Sequence, residues 1–280
     1  MKLTYIGTAA AEAVPALFCE CSFCENARRM KGREYRRRSG AMIDNELLID
    51  FSPDTYTGTL ALGLRLNEVK YVIFTHSHSD HFCPAELGFR RAPAFCIVPE
   101  GKEPLKIYGN RNIENGIMSL FGPDLSAHGL QFDFVPPFEP FYAGEYKITP
   151  VSVIHCLPED AYIYLIEKDG VSLLYANDTG FFTDRAFEFL SGKKLDIVSL
   201  DCTLGHSKND RGHMGFDANL RIKQRLTECG CVKDDTVFIS NHFSHNGLRD
   251  DNDQWTYGRF SEMAAPYGFI MSYDGLVIEK

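Results

Sequence analysis

Along this chain, short runs in which apolar and polar residues alternate, or apolar residues stand almost unbroken, recur, and several end on a histidine or an aspartate. "KLTYIG" at 2–7 predicts an opening strand, "AMIDNELLID" at 41–50 a hairpin turning at Asp44 and Asn45, and "KYVIF" at 70–74 a buried strand. "YKITPVSVIH" at 146–155 is a further β run that ends on His155. "YIYLIEKDGVSLLYAND" at 162–178 predicts a hairpin turning at Asp169 and Gly170 and ending on Asp178. "DIVSLD" and "TVFISNH" repeat the pattern of a β run followed by a polar residue. Between them, "DANLRIKQRLTECG" at 217–230 predicts a helix with Asp217 as N-cap and Gly230 as its stop. β runs alternating with turn-bounded helical stretches predict an α/β protein built on one or two sheets.

The segment 100–145 breaks the pattern. Pro104, Pro123, Pro136, Pro137 and Pro140 predict loops or a lid there, not a long element. There is no linker, low-complexity tract or short internal period, so residues 1–280 read as one domain.

Composition narrows the function classes. A net charge of −9 argues against a broad phosphate-backbone footprint, so no nucleic-acid partner is expected. The basic run "RRMKGREYRRR" at 28–38 is the local exception and reads as a solvated charged face. Tyr5, Gly7, Thr8 and Glu12 interrupt any signal-peptide core, and no run approaches the roughly 20 apolar residues of a membrane span. A cytoplasmic protein without a membrane partner is expected, so its nine cysteines are read as thiols or metal ligands, not disulfides.

The chemistry concentrates in "FTHSHSDHF" at 74–82. A chance H-x-H-x-D-H match in a chain this long has odds on the order of one in a thousand. Alternate positions let His76 and His78 point to one ion, while Asp80 and His81, past the turn, aim at a second. Imidazole and carboxylate donors suit Zn²⁺, Mn²⁺ or Fe. Two such ions a few ångströms apart can hold a shared hydroxide and polarise the phosphoryl or carbonyl oxygen that it attacks.

This loop resembles the signature of the metallo-β-lactamase-fold hydrolases. The resemblance implies an αββα sandwich with a dinuclear site at one edge of its two sheets. It also implies that His76, His78 and His155 hold one metal, that Asp80, His81 and His242 hold the other, and that Asp178 bridges them.

A second constellation refines the expectation. Cys19, Cys21 and Cys24 in "CECSFC" have the C-x-C-x₂-C spacing of a tetrahedral structural zinc lacking one ligand, and His245, three residues beyond His242, is the candidate fourth. The combination is similar to the phosphodiesterases that accompany the bacterial carbon-phosphorus lyase pathway, together with "LLIDFSPD", "YANDTG", "NHFSHNG" and "SYDGLVIE". That family implies a small phosphorylated substrate such as a phosphoribosyl cyclic phosphate, two Mn²⁺ or Zn²⁺ ions, one structural Zn²⁺, and a role in phosphonate metabolism; a homodimer is compatible with it.

His213 in "RGHMGFDANL" is the candidate donor of a proton to the leaving group, with Asp80 and Asp178 as the other catalytic candidates. His128 and His206 read as ordinary surface or loop residues. Cys96, Cys156, Cys202, Cys229 and Cys231 read as small buried side chains. Two alternatives stay open: lactone or thioester hydrolysis at the same metals, and a non-catalytic member that binds a phosphorylated metabolite.

Overall fold

A computed structural model of the chain describes residues 1–208, 210–249 and 255–280. The first sheet is built from β1 (Lys2–Gly7), β2 (Gly40–Ile43), β3 (Leu47–Ile49), β4 (Tyr71–Ile73), β5 (Leu105–Gly109) and β6 (Leu130–Phe134). The second runs through β7 (Phe141–Ala143), β8 (Tyr146–Val153), β9 (Ala161–Lys168), β10 (Val171–Ala176), β11 (Leu195–Asp201), β12 (Val232–Asn241) and β13 (Phe269–Met271). β14 (Val277–Glu279) returns to the first sheet beside β1, giving two seven-stranded sheets.

Period-two alternation assigns each face. On β9, Tyr162, Tyr164 and Ile166 enter the core between the sheets with Leu3, Tyr5, Ile43 and Ile73, while Ala161, Ile163 and Leu165 face outward into a second core. Both sets are buried because helices cover the outer faces. On the second sheet these are α4 (Asp184–Leu190), α5 (Phe216–Glu228) and α7 (Tyr257–Ala264), joined at one end by α1 (Ser22–Met30), which packs against the short α6 (His245–Leu248). On the first, α3 (Arg111–Phe121) packs Ile113 and Ile117 on Val72, Leu105 and Ile107, and α2 (Thr55–Ala61) lies against β1. The layers are those of an αββα sandwich.

Both expected hairpins form. Asp44 and Asn45 take φ of +50° and +60°, and Asp169 and Gly170 +52° and +79°, the left-handed pair that a two-residue turn needs to match strand twist.

Three expectations are corrected. Residues 100–145 are not a lid: they supply β5, α3, β6 and β7. The prolines lie between those elements, whereas Leu105, Ile107, Ile113 and Ile117 carry the core pattern. α5 begins at Phe216 with Gly215 as its cap, not Asp217. A side chain at Gly215 would meet the Ser207 carbonyl at 2.0 Å, so close passage of the 205–207 backbone sets the start, and Asp217 sits in the first turn accepting from Arg221. The basic run is a solvated face at Arg29, Lys31 and Arg33, which are exposed, but not at its 36–38 end. Arg36 is 4% exposed, Arg38 makes a bidentate pair with Asp54, and Arg37 pairs with Asp274.

Candidate metal centre

The strands of both sheets that carry the cluster end at one edge, and the polar residues that follow them meet there. The loop after β4 is launched from a fixed point. Tyr164 Oη donates to Phe74 O at 2.7 Å and the Tyr162 N–H donates to Thr75 O at 2.9 Å, tying the strand end to the opposite sheet. Beyond it the chain turns tightly, with the His81 and Phe82 N–H groups both donating to His78 O, and Phe51 N–H closes the loop on His81 O.

All seven residues expected at the dinuclear position converge. His155 Nε2 lies 3.1 Å from His78 Nδ1 and 3.3 Å from Asp178 Oδ1, and His76 Nε2 lies 3.2 Å from Asp178 Oδ2. On the other side, His81 Nε2 is 3.1 Å from both His242 Nε2 and Asp178 Oδ2 and 3.3 Å from Asp80 Oδ2. Asp178 therefore stands between a group of three imidazoles and a group formed by His81, His242 and Asp80. Asp178 and His242 sit at φ of +55° and +63°, left-handed conformations that cost a non-glycine residue energy and occur where a side chain must be re-aimed.

Hydrogen bonds on the far ring nitrogens set the imidazole lone pairs. His155 Nδ1 donates to Gly212 O at 2.9 Å, His81 Nδ1 to Asp50 Oδ2 at 2.6 Å, His76 Nδ1 to Thr75 Oγ1 at 3.0 Å and His242 Nδ1 to Thr203 Oγ1 at 2.8 Å. Each threonine hydroxyl in turn donates a hydrogen bond to a buried carboxylate, Thr75 to Asp50 and Thr203 to Asp201. Nε2 of all four rings is left facing the centre as an acceptor, the tautomer a metal-binding histidine needs. His76 Nε2 and Asp178 Oδ1 are buried without an aligned hydrogen-bond donor. Ring nitrogens and carboxylate oxygens converging on one buried point are what a cation would satisfy, so the donor set fits divalent metal ions.

Electrostatics carry the same asymmetry. Burial alone would raise the Asp178 carboxyl, but His242, His213, His76 and His81 hold it well below the usual range. Burial would lower His81, and Asp50 and Asp80 reverse this and raise it well above 6.5. His155 is pushed down to about 4, chiefly by burial.

His213 is brought to the same place by the turn before α5. Its Nδ1 is 2.9 Å from Asp178 Oδ1 and 3.5 Å from Asp201 Oδ2, while its side chain remains 31% exposed. Against the downward push of burial, these two carboxylates raise it to about 10.

The cysteine cluster also assembles. His245 Nδ1 lies 3.6, 3.7 and 3.5 Å from the Sγ atoms of Cys19, Cys21 and Cys24. The N–H groups of Ala16, Cys21 and Cys24 donate to these sulfurs, and the four donor atoms can hold a metal ion. Burial would raise the Cys21 thiol, but Cys24 N–H and His245 draw it down to about 6. The cluster ties the start of α1 to the start of α6, three residues past His242.

Sequence reasoning missed Asp50, Thr75, Thr203, Asp201 and Glu159. Asp50 and Asp201 carried a legible signal, since each follows or closes a β run. It also misplaced three cysteines: Cys202 and Cys231 are buried as expected, but Cys96, Cys156 and Cys229 are only half-buried. Cys156 Sγ lies within 4.8 Å of the donor atoms of His76, His78 and His155. His206 is an exposed loop residue stacked on Trp255, and His128 packs on Phe121.

Residues 45–231 match the family described as the beta-lactamase superfamily domain. That span holds the 76–81 loop, His155, Asp178 and His213; His242 and the cysteine cluster lie outside it. Among solved structures, the fold is similar to a diphosphatase from the PhnP family, with a TM-score of 0.76 and 23% identity over 100% of this chain and 97% of that one. Zinc-bound PqqB from Methylobacterium extorquens gives a TM-score of 0.70 at 20% identity, covering 100% of both chains. The short form of human tRNase Z gives 0.63 at 16%, over 100% of this chain and 99% of that one. No curated protein matches the sequence. Among the described residues, no helix is long and apolar enough to cross a membrane. With its family match, its two-sheet architecture and its strand-end His/Asp cluster, the chain belongs to the beta-lactamase superfamily and has the metallo-β-lactamase fold of metal-dependent hydrolases.

Proposed function

We propose that the protein is a dinuclear metal phosphodiesterase acting on a small cyclic or diester phosphate, of which phosphoribosyl 1,2-cyclic phosphate is the leading example. The observation that carries the reading is His213, a cationic imidazole half-exposed at the lip of the donor cluster, held by Asp178 and Asp201. A departing sugar alkoxide is a poor leaving group and needs a proton, which His213 is placed to give. The names of the PhnP-family diphosphatase and of tRNase Z add support from two structural neighbours.

His76, His78, His155 and Asp178 would hold one cation, and Asp80, His81, His242 and Asp178 the other. Two divalent ions there supply Lewis acidity toward a phosphoryl oxygen and make water acidic enough to attack near neutral pH. The chain's own residues do the rest. Asp50 and Asp201, through Thr75 and Thr203, fix the imidazole orientations, and His213 gives its proton to the sugar oxygen as the P–O bond breaks. Cys19, Cys21, Cys24 and His245 would hold a structural Zn²⁺ that braces the N-terminal loop. The net charge of −9 suits a small free metabolite, in the cytoplasm and in phosphonate metabolism, over a nucleic acid.

The test is a substrate panel of cyclic ribose phosphates, cyclic nucleotides, bis(p-nitrophenyl) phosphate and lactones, assayed with Mn²⁺ and with Zn²⁺. Turnover of phosphodiesters is expected. Turnover of lactones alone, unchanged in His213→Ala, sinks the reading. Metal analysis of the purified chain should give about three ions, two catalytic and one structural.

A further inference from the structure

We propose that the thiol of Cys156 is a further protein donor at the position formed by His76, His78, His155 and the shared Asp178, adding one sulfur to three nitrogens and a carboxylate and making that position selective for thiophilic cations. The inference rests on reading the His/Asp cluster as a metal centre, and it assigns a ligand that neither the composition of the signature loop nor its spacing reveals.

The geometry is specific. Sγ of Cys156 and one ring nitrogen each of His76, His78 and His155 all lie within 4.8 Å of one another. Cys156 directly follows His155, whose ring is locked by Gly212 O at 2.9 Å. The carbonyl of Cys156 accepts from Glu159 N–H at 3.1 Å, and the Glu159 carboxylate reaches across to Ser77, the residue between His76 and His78. One buried side chain therefore sets the distance between the thiol and the two histidines of the signature loop. His76 Nε2 is buried 3.2 Å from Asp178 Oδ2 without an aligned hydrogen-bond partner, a second sign that this group faces a ligand. The thiol has one weak partner of its own among the described residues, Glu159 Oε2 at 3.8 Å.

A thiolate changes what the position selects. The other position offers His81, His242 and two carboxylates, a set that accepts oxygen-preferring cations such as Mn²⁺. Three imidazoles and a sulfur beside the shared Asp178 favour Zn²⁺ instead. The S–H proton leaves to solvent as the sulfur–cation bond forms, the ordinary course for thiolate ligands. The two halves of one centre would then differ in cation preference, with Asp178 shared between them.

Cadmium NMR of the full chain, loaded with Cd²⁺ alone, tests this, because the cadmium resonance moves strongly downfield with each bound thiolate. Cys156→Ser and Cys156→Ala are expected to move the resonance that His155→Ala abolishes upfield, by the step of one thiolate. The thiolate-rich resonance of the Cys19, Cys21, Cys24 and His245 cluster should stay in place and serves as the control for folding. Competition of Zn²⁺ against Mn²⁺ should lose roughly tenfold to a hundredfold of its zinc preference in Cys156→Ser. If the resonance disappears in His155→Ala but does not move in Cys156→Ser, Cys156 is a packing residue and the inference fails while the metal centre stands. If neither His155→Ala nor His81→Ala removes a resonance, the reading of the metal centre falls, and the inference with it.

Discussion

The Glu159 carboxylate accepts from the backbone N–H of Ser77 at 2.9 Å and from its hydroxyl at 2.5 Å, fastening the residue between His76 and His78 to the loop after β8. Asn110, whose side-chain oxygen caps α3, donates to the same carboxylate at 2.8 Å. Glu159 touches no donor nitrogen of the centre, so it acts by holding two donor-bearing loops at one separation. Glu159→Ala is expected to weaken cation binding at the His76, His78 and His155 position by about tenfold to a hundredfold, the range for residues that orient ligands. Glu159→Gln, which keeps an acceptor, should recover part of this. Chelator competition reads both, and equal loss of the cysteine-bound metal would show general unfolding in place of local loosening.

Arg36 gives a second prediction, on stability. Its guanidinium donates to Thr8 Oγ1 at 3.0 Å and Ser272 O at 2.7 Å and lies 4.4 Å over the ring of Phe243, the neighbour of His242. Burial lowers its pKa, while Asp274 and Glu34 oppose that shift. Removing the charge leaves Asp274, itself pushed up to about 6 by burial, with less compensation. Arg36→Met should cost about 3–5 kcal/mol in urea unfolding. A loss under about 1 kcal/mol would mean that the guanidinium stabilises little.

How much of this was legible in the sequence depends on the range of the signal. The strands and both hairpins are local: alternation over five to eight residues and a φ-positive pair such as Asp169 and Gly170 suffice. The donors were legible because each follows a strand, and a sheet aligns strand ends. Arg36 and Arg37 were misread because nothing within a few residues announces Asp274, Ser272 or Phe243, which lie more than 200 positions away, and the Asp54 partner of Arg38 is itself 16 residues distant. α3 was hidden by the prolines around it, since a breaker between two elements looks like one inside them. Cys156 was dismissed because a lone cysteine carries no spacing. Only the closure of the 76–78 loop on Glu159 makes it a neighbour of three histidines.

The third prediction concerns pH and the cation-free protein. The folded chain keeps the His213 proton from its ordinary 6.5 up to about 10, where the unfolded chain has lost it. Stability from this residue is full below 6.5 and is lost as pH rises through about 10. His81, also raised, acts in the same direction. His155 has the opposite sign: the folded chain sheds its proton near 4, while the unfolded chain holds it up to 6.5. Its contribution is full above 6.5 and is lost as pH falls through about 4. Urea unfolding of chelator-treated protein should show both limbs, with His213→Gln flattening the alkaline one and His155→Gln the acid one. Superimposable alkaline limbs for wild type and His213→Gln would contradict the assignment.

The cysteine cluster joins α1 to α6 and so joins the N-terminal loop to the segment that carries His242. His245→Ala should remove one bound ion per chain and lower the melting temperature. It should also make the protein more sensitive to chelators at neutral pH, since a structural zinc contributes folding free energy. The site around Asp178 should still load. An unchanged metal count in His245→Ala would show that the four donors hold no ion.

The last prediction separates proton donation by His213 from a merely structural role. If the imidazolium protonates the departing oxygen, its removal matters in proportion to how badly that oxygen needs a proton. A sugar alkoxide is strongly basic and p-nitrophenolate is not. His213→Ala should therefore slow a cyclic ribose phosphate by about 10²–10⁴-fold in kcat, the usual worth of a positioned acid, yet slow bis(p-nitrophenyl) phosphate much less. Asp201→Asn, which takes away one of the two carboxylates holding His213 and also the acceptor that anchors Thr203 and through it His242, should show the same ordering on top of a uniform loss for every substrate. A graded series of aryl and alkyl diesters would then give a steeper dependence of rate on leaving-group pKa in His213→Ala than in wild type. Parallel lines displaced by a constant factor would mean that His213 shapes the site without transferring a proton, because a structural fault slows every leaving group alike.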